Sequence, residues 1–286
     1  MKSICIKTNN PSDLNYLLNL LENSNQPHIC FSCHNFKHYK NLIIHYTGNL
    51  INDFISEISE FLSYLVIENY EENILKRLIF SNYFYFDSQE RNVVLNICSE
   101  ILPENDYILF EDRQKELIKI FYDYLLENNK IILDGFINFR LKEYISFLNS
   151  IIDTAVNKFI VEREYLEFIS LLKVYINSEV SSVKCIHLIY NDENTILLDE
   201  NKNIIDIDKD AFKAKYLSDI TFSSNDYALN TLLNILPEKI YIHLVEGSID
   251  EFINTLQLVF ENRIEICKNC SICNIYKNNK QILNEK

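Results

Sequence analysis

The sequence predicts an α+β fold in which strand and helix alternate at both ends and a helical layer lies between. Two observations carry the prediction. Short apolar runs with a period of two occur in residues 1–69 and again after residue 180, whereas 70–180 shows only three–four spacing. An apolar fraction of 48% over 286 residues, with 24% charged, is enough for a full core and is unlike a disordered chain. The predicted segments are 1–69, 70–180 and 181–286. No low-complexity linker separates them, so they are also compatible with one compact unit. Chain order suggests that the terminal segments join in a mixed sheet covered by the helices.

The first segment reads β-α-β-β-α. Ile4 and Ile6 mark a strand, and Asn10-Pro11-Ser12-Asp13 supplies a cap, a first-turn proline and an acidic first turn. The helix that follows carries Leu14, Leu17, Leu18 and Leu21 on one face. Two β-type runs come next, His28 to Cys33 and Leu42 to Thr47. Gly48-Asn49 then leads into a long helix striped by Phe54, Ile55, Ile58, Leu62 and Leu65.

The middle segment shows no strand pattern. Helical stripes begin at Ile74, Val93 and Leu117, and the strongest runs from Phe136 to Ile160. Another, Tyr165 to Ile176, follows almost without a break. Such helices are stabilised mainly by packing their apolar faces on one another.

After residue 180 the period returns to two. Lys184 to Tyr190 and Thr195 to Asp199 read as a hairpin, with Ile204 to Ile207 a candidate third strand. Helices are predicted near 208–217 and 225–236, then a strand from Lys239 to Leu244. Ser248 with Glu251 reads as a capping box for the next helix, and a strand from Arg263 to Ile266 runs into the last cysteines.

Composition excludes several functions. With 3 Gly there is no Gly-x-Gly-x-x-Gly turn, no P-loop and no Gly-x-Ser-x-Gly elbow. A net charge of −14 without any Lys/Arg run disfavours nucleic acid and anionic membranes as partners. Met1 to Lys7 is charged and alternating with no apolar stretch after it, so a cytoplasmic protein with no membrane span is expected. The 8 cysteines are then free thiols or metal ligands.

The stretch Leu133-Asp-Gly-Phe-Ile-Asn-Phe-Arg-Leu-Lys-Glu-Tyr144 carries Asp134, Gly135, Phe136, Phe139, Arg140 and Tyr144. With Ile152-Asp153, Ala155-Val156, Phe159 and Glu164 to Lys173 behind it, it resembles the signature of the YtxC-like family over residues 131–176. That resemblance implies a sporulation context in endospore-forming bacteria and no defined activity. On physical grounds Asp134-Gly135 reads as a sharp turn that caps a helix. Arg140, between Phe139 and Leu141, is expected to pair with Glu143 or Glu164 as an internal salt bridge.

Cys267, Cys270 and Cys273 are the one set whose spacing chemistry could demand. Unligated thiols on a terminal turn are the simpler reading, and zinc is the chief alternative. Zinc needs a fourth ligand, for which Cys30 and Cys33 are the best distant donors, and this requires the first and last strands to be neighbours. A ferredoxin run would place a further cysteine where Lys277 stands. Cys30-x-x-Cys33-His34 fits haem attachment only in an exported protein. His45, His187 and His243 each sit in a predicted strand and are expected to be semi-polar strand members, with a shared metal or acid–base cluster as the alternative. Asp206 to Asp210 fails a calcium loop, because Ala211 and Leu217 replace its glycine and glutamate. The sequence thus points to a non-enzymatic adaptor or assembly factor with a protein partner. The alternative is a zinc-dependent enzyme, or a metal or redox sensor, built on the terminal cysteines and the strand histidines.

Overall fold

A computed structural model describes residues 1–283 except 25–26, 37–38, 103–106, 192–193, 206–222, 246–247 and 268, with backbone alone for 107–112, 194 and 278–283. The predicted helix near 208–217 and the Asp206–Asp210 segment lie outside the described residues. Two compact units are present, Met1–Val161 and Glu162–Lys286.

The first unit is built on a sheet of order β2-β3-β1-β4. Its strands are β1 (Lys2–Thr8), β2 (Ile29–Asn35), β3 (Lys40–Tyr46) and β4 (Lys130–Ile132). β1 and β3 pair antiparallel with Ile4 opposite Ile44 and Ile6 opposite Leu42, which puts all four on the buried face. Helix α1 (Pro11–Asn23) begins as its sequence dictates, with Asn10 accepting a hydrogen bond from the Ser12 N–H. Gly48 is required by packing, because a Cβ there would run into the ring of Tyr46, which stacks on Phe54 at 4.9 Å.

Helix α2 (Ile51–Leu65) passes through a π-helical turn at Val66–Tyr70 into α3 (Glu71–Asn82). Phe54, Ile55, Ile58, Leu62 and Leu65 are all buried, each contributing roughly 1.5–3 kcal/mol. Around them pack α4 (Ser88–Ile101), opened by an Asp87/Glu90 capping box, and α5 (Tyr107–Glu127), which buries Leu117, Phe121 and Leu125. β4 then pairs parallel to β1. The middle segment therefore does contain a strand, whose three residues are too few to display an alternation.

Helices α6 (Leu133–Arg140) and α7 (Lys142–Ser178) follow. The expected stripe from Phe136 to Ile160 is broken at Leu141, which leaves Phe136 and Ile137 in α6. Its remainder and the stripe from Tyr165 to Ile176 form one 37-residue helix, α7, with Leu148, Ile152 and Ala155 in the first core and Ile169 and Ile176 in the second. Asp134-Gly135 does not form the expected turn. Both lie inside α6, whose start has no side-chain cap, and Gly135 has neither positive φ nor a neighbour that a Cβ would touch. Arg140 is likewise not buried. It is exposed, lies 6.0 Å from the Tyr124 ring centroid, and pairs with neither Glu143 nor Glu164, because α6 ends there and turns it to the surface.

The second unit has its own sheet, of order β6-β5-β7-β8. β5 (Val183–Asn191) and β6 (Asn194–Leu198) form the predicted hairpin; of the candidate third strand, Ile204 makes a bridge to Leu198 and the part from 206 on lies outside the described residues. β7 (Pro237–Leu244) and β8 (Ile264–Cys267) add in parallel, linked through α9 (Glu251–Phe260). Helix α8 (Ser224–Ile235) opens on a Ser223/Asp226 capping box. The α9 cap is Asp250, which accepts from the Ile253 N–H at 3.0 Å, and not Ser248; a carboxylate nearer the first turn takes the position. Each end of the chain thus closes a separate sheet, and the single shared sheet is not formed. The short β4 completes the first sheet, and the β7–β8 crossover completes the second.

Candidate metal centre

Within the second unit, side chains alternate across the sheet. Ile186, Leu188, Ile240 and Ile242 face a core shared with α8 and α9. The alternate positions, His187 on β5 and His243 on β7, face the other side. The parallel pairing of β7 and β8 sets His243 opposite Cys267, the last residue of β8. Helix α10 (Ser271–Leu283) starts just beyond, with Cys270 as the residue before its first turn and Cys273 within that turn. Ile272 of α10 joins Ile189, Leu198 and Val245 in a small apolar cluster, which anchors the helix start to this side of the sheet.

These elements bring four donors together. His243, Cys267, Cys270 and Cys273 each offer one ligand atom, all within 4.8 Å of one another. His243 Nδ1 lies 3.4 Å from both Cys270 Sγ and Cys273 Sγ. Cys273 Sγ lies 3.8 Å from Cys270 Sγ and from Cys267 Sγ. Zn–S bonds of about 2.3 Å and Zn–N bonds of about 2.0–2.1 Å at tetrahedral angles give edges of about 3.8 Å for S···S and about 3.6 Å for N···S. The four edges given above lie close to these values.

The surroundings suit the donors. His243 Nε2 lies 3.0 Å from His187 Nδ1. With Nε2–H donating to His187, the Nδ1 lone pair faces the three sulfurs, and a second group of this kind commonly orients a metal-binding imidazole. Burial, with His187 adding to it, pushes the His243 imidazole down to about 4, so the ring is neutral as ligation requires. Burial also lowers His187, with Lys202 contributing. Burial pushes the Cys267 thiol up to about 11. At Cys270 burial acts in the same direction but is outweighed by the Cys273 N–H, the Cys267 thiol and the Ile272 N–H, so its thiol is lowered. The amides of a helix N-terminus commonly favour a thiolate in this way. A Cys3His set satisfies zinc with four protein donors and leaves no open position.

The three terminal cysteines are therefore brought together, and their companion is His243. Cys30 and Cys33 are exposed on β2 of the first sheet, and β8 has β7 as its neighbour, so the strand pairing that a shared site demanded is not made. His45 lies on β3, with Nδ1 2.7 Å from Ser3 Oγ. The sequence offers His243 as one of three strand histidines beside the terminal cysteines and does not single it out as their companion. Its link to Cys267 is a parallel register, which leaves no local spacing to read.

The signature residues have mixed fates. Phe136 and Tyr144 are buried, whereas Phe139 is 73% exposed. Tyr144 donates a short hydrogen bond to Glu71 Oε2, and Arg113 Nη1 bonds Glu71 Oε1 at 3.1 Å, so the buried ion pair here belongs to Arg113. Asp134 Oδ2 is buried with no hydrogen-bond partner.

The model of the YtxC-like family matches residues 56–265. The chain belongs to the YtxC-like family. It is similar to "Uncharacterized protein YtxC" of Bacillus subtilis (strain 168), with 23% identity over 209 residues, covering 70% of this chain and 72% of that protein. No solved structure matches. The YtxC-like match takes in the signature stretch and His243, and it ends just before Cys267. Among the described residues no helix is long and apolar enough to cross a membrane.

Proposed function

We propose that this YtxC-like protein is a non-enzymatic, sporulation-associated adaptor or assembly factor whose C-terminal unit is clamped by a structural zinc ion. One observation carries the reading. Four donors from β7, β8 and the start of α10 lie within 4.8 Å of one another, the number that fills the coordination of a structural zinc. Bound there, zinc would supply Lewis acidity enough to hold three thiolates together and to tie α10 to the two strands. His243 stays neutral with its lone pair inward, and His187 holds the ring in that orientation. Such a site contributes folding free energy to the segment it crosslinks. Family membership supports the sporulation context, and the net charge of −14 favours a protein partner over nucleic acid.

Two measurements on intact material test this. Elemental analysis of full-length protein purified anaerobically should give one zinc per chain, and Cys270→Ser should lose it. Deletion of the gene in the encoding organism should reduce spore yield and spare vegetative growth, with the Cys270→Ser chain complementing poorly. Normal spore yield in the deletion strain would count against the sporulation role, and metal-free wild-type protein against the clamp.

A further inference from the structure

The first unit carries a second feature, unrelated to the cysteines. A pocket of about 530 Å³ opens between the ends of β1 and β4, the end of α5 and one face of α6. It lies within the usual size range of small-molecule sites. Lys7, Lys130 and Arg140 all line it, and no acidic residue does. The register explains the convergence. Lys7 is opposite Ile132 in the parallel pair, so Lys7, Ile132 and Lys130 share a sheet face. Gly135, Phe136, Phe139 and Arg140 recur at helical spacing along the adjoining side of α6.

None of the three cations has a carboxylate partner among the described residues, in a chain with 41 acidic side chains. Three unpaired positive charges around one concavity repel each other, and a multiply charged anion between them removes that repulsion. The remaining walls are Tyr124, Phe136, Phe139 and the Asn128 amide. Rings and an amide beside a cationic end suit a ligand with a flat apolar body and an anionic head. Arginine and lysine together match the charge and oxygen geometry of a phosphoryl group better than that of a single carboxylate.

We infer that this pocket binds a small organic phosphate, with Lys7, Lys130 and Arg140 holding the phosphoryl oxygens and Tyr124 and Phe139 flanking the organic part. The signature stretch then has a binding role that the metal centre does not account for. This reading does not depend on the zinc clamp.

The test uses phenyl phosphate as probe, titrated into full-length protein by calorimetry. Saturable binding at millimolar concentration or below is expected, with inorganic phosphate weaker because it lacks the ring. Lys130→Glu with Arg140→Glu should weaken phenyl phosphate by at least about tenfold, as lost charge-assisted contacts do. Both positions are exposed, so thermal melting should show the fold unchanged, and Arg140→Gln provides a milder variant. Lys76→Glu, at an exposed ion pair with Glu72 elsewhere, should leave binding intact. Benzoate, which keeps the ring but offers a single carboxylate, should bind at least about tenfold more weakly than phenyl phosphate. Three results would overturn the proposal: no saturable binding by the wild type, unchanged binding by the charge-reversed variant, or benzoate equal to phenyl phosphate.

Discussion

His187 Nδ1 and His243 Nε2 lie 3.0 Å apart across β5 and β7, so one imidazole fixes the ring orientation of the other. The contact is of the kind that orients a metal-binding imidazole, whose far nitrogen commonly has a partner. His187→Phe should therefore lower zinc affinity by about 10–100-fold while one ion still binds at saturation. Competition with a chromophoric chelator measures this. An unchanged dissociation constant would show that His187 is only a neighbour.

Replacement of zinc by cobalt(II) gives an independent check on the donor set. Three thiolates and one imidazole should produce a tetrahedral spectrum with intense sulfur-to-metal charge transfer. His243→Ala should shift the ligand-field bands, whereas Cys30→Ser with Cys33→Ser should change nothing. An altered spectrum in the β2 double variant would bring those cysteines back as ligands.

The Glu71–Arg113 pair ties α3 to α5 in the interior, with Tyr144 on the second carboxylate oxygen. Arg113→Met should destabilise the first unit by about 3–5 kcal/mol, because it leaves a buried carboxylate without its counter-charge. Adding Glu71→Gln should recover at least half of that loss, since an amide oxygen still accepts from Tyr144 and needs no cation. Urea denaturation of the single and double variants gives the comparison, and a double variant as unstable as the single one would contradict it.

Alkali acts on the same cluster. Burial first, and the Glu71 carboxylate next, raise the Tyr144 phenol far above its ordinary range. The unfolded chain ionises this group near pH 10 while the native chain keeps it protonated, so its contribution is complete below about pH 10 and declines above it. Tyr144→Phe should be the less stable protein at pH 8. Its deficit should shrink by about 1.4 kcal/mol per pH unit above pH 10. A pH-independent difference would indicate that Tyr144 ionises freely.

What could be read from the sequence depended on how far apart the partners lie. Asn10-Pro11 capped its helix as read, and Leu14, Leu17 and Leu21 are buried together, because caps and stripes are local. The Cys-x2-Cys-x2-Cys spacing marked three of the four side chains that gather, for the same reason. His243 stands well before Cys267, and only a parallel crossover through α9 brings them level. Cys30 and Cys33 looked better on spacing, yet β2 is an edge strand of the other sheet. Asp134-Gly135 suggested a turn by residue type, and helix packing overrode that preference. Arg140 was judged by its apolar neighbours in sequence, but in a helix adjacent residues point in different directions.

The opposition of His243 and Cys267 has a further consequence, for how the second sheet is assembled. β8 is a four-residue edge strand, the weakest place in any sheet for alignment. A slip of one residue would turn Cys267 to the opposite face and offer Ile266 in its place. That misaligned strand could still make backbone hydrogen bonds, but it could not close a four-donor site. An ion bound there would proofread strand alignment, selecting the one pairing in which the edge is finished correctly.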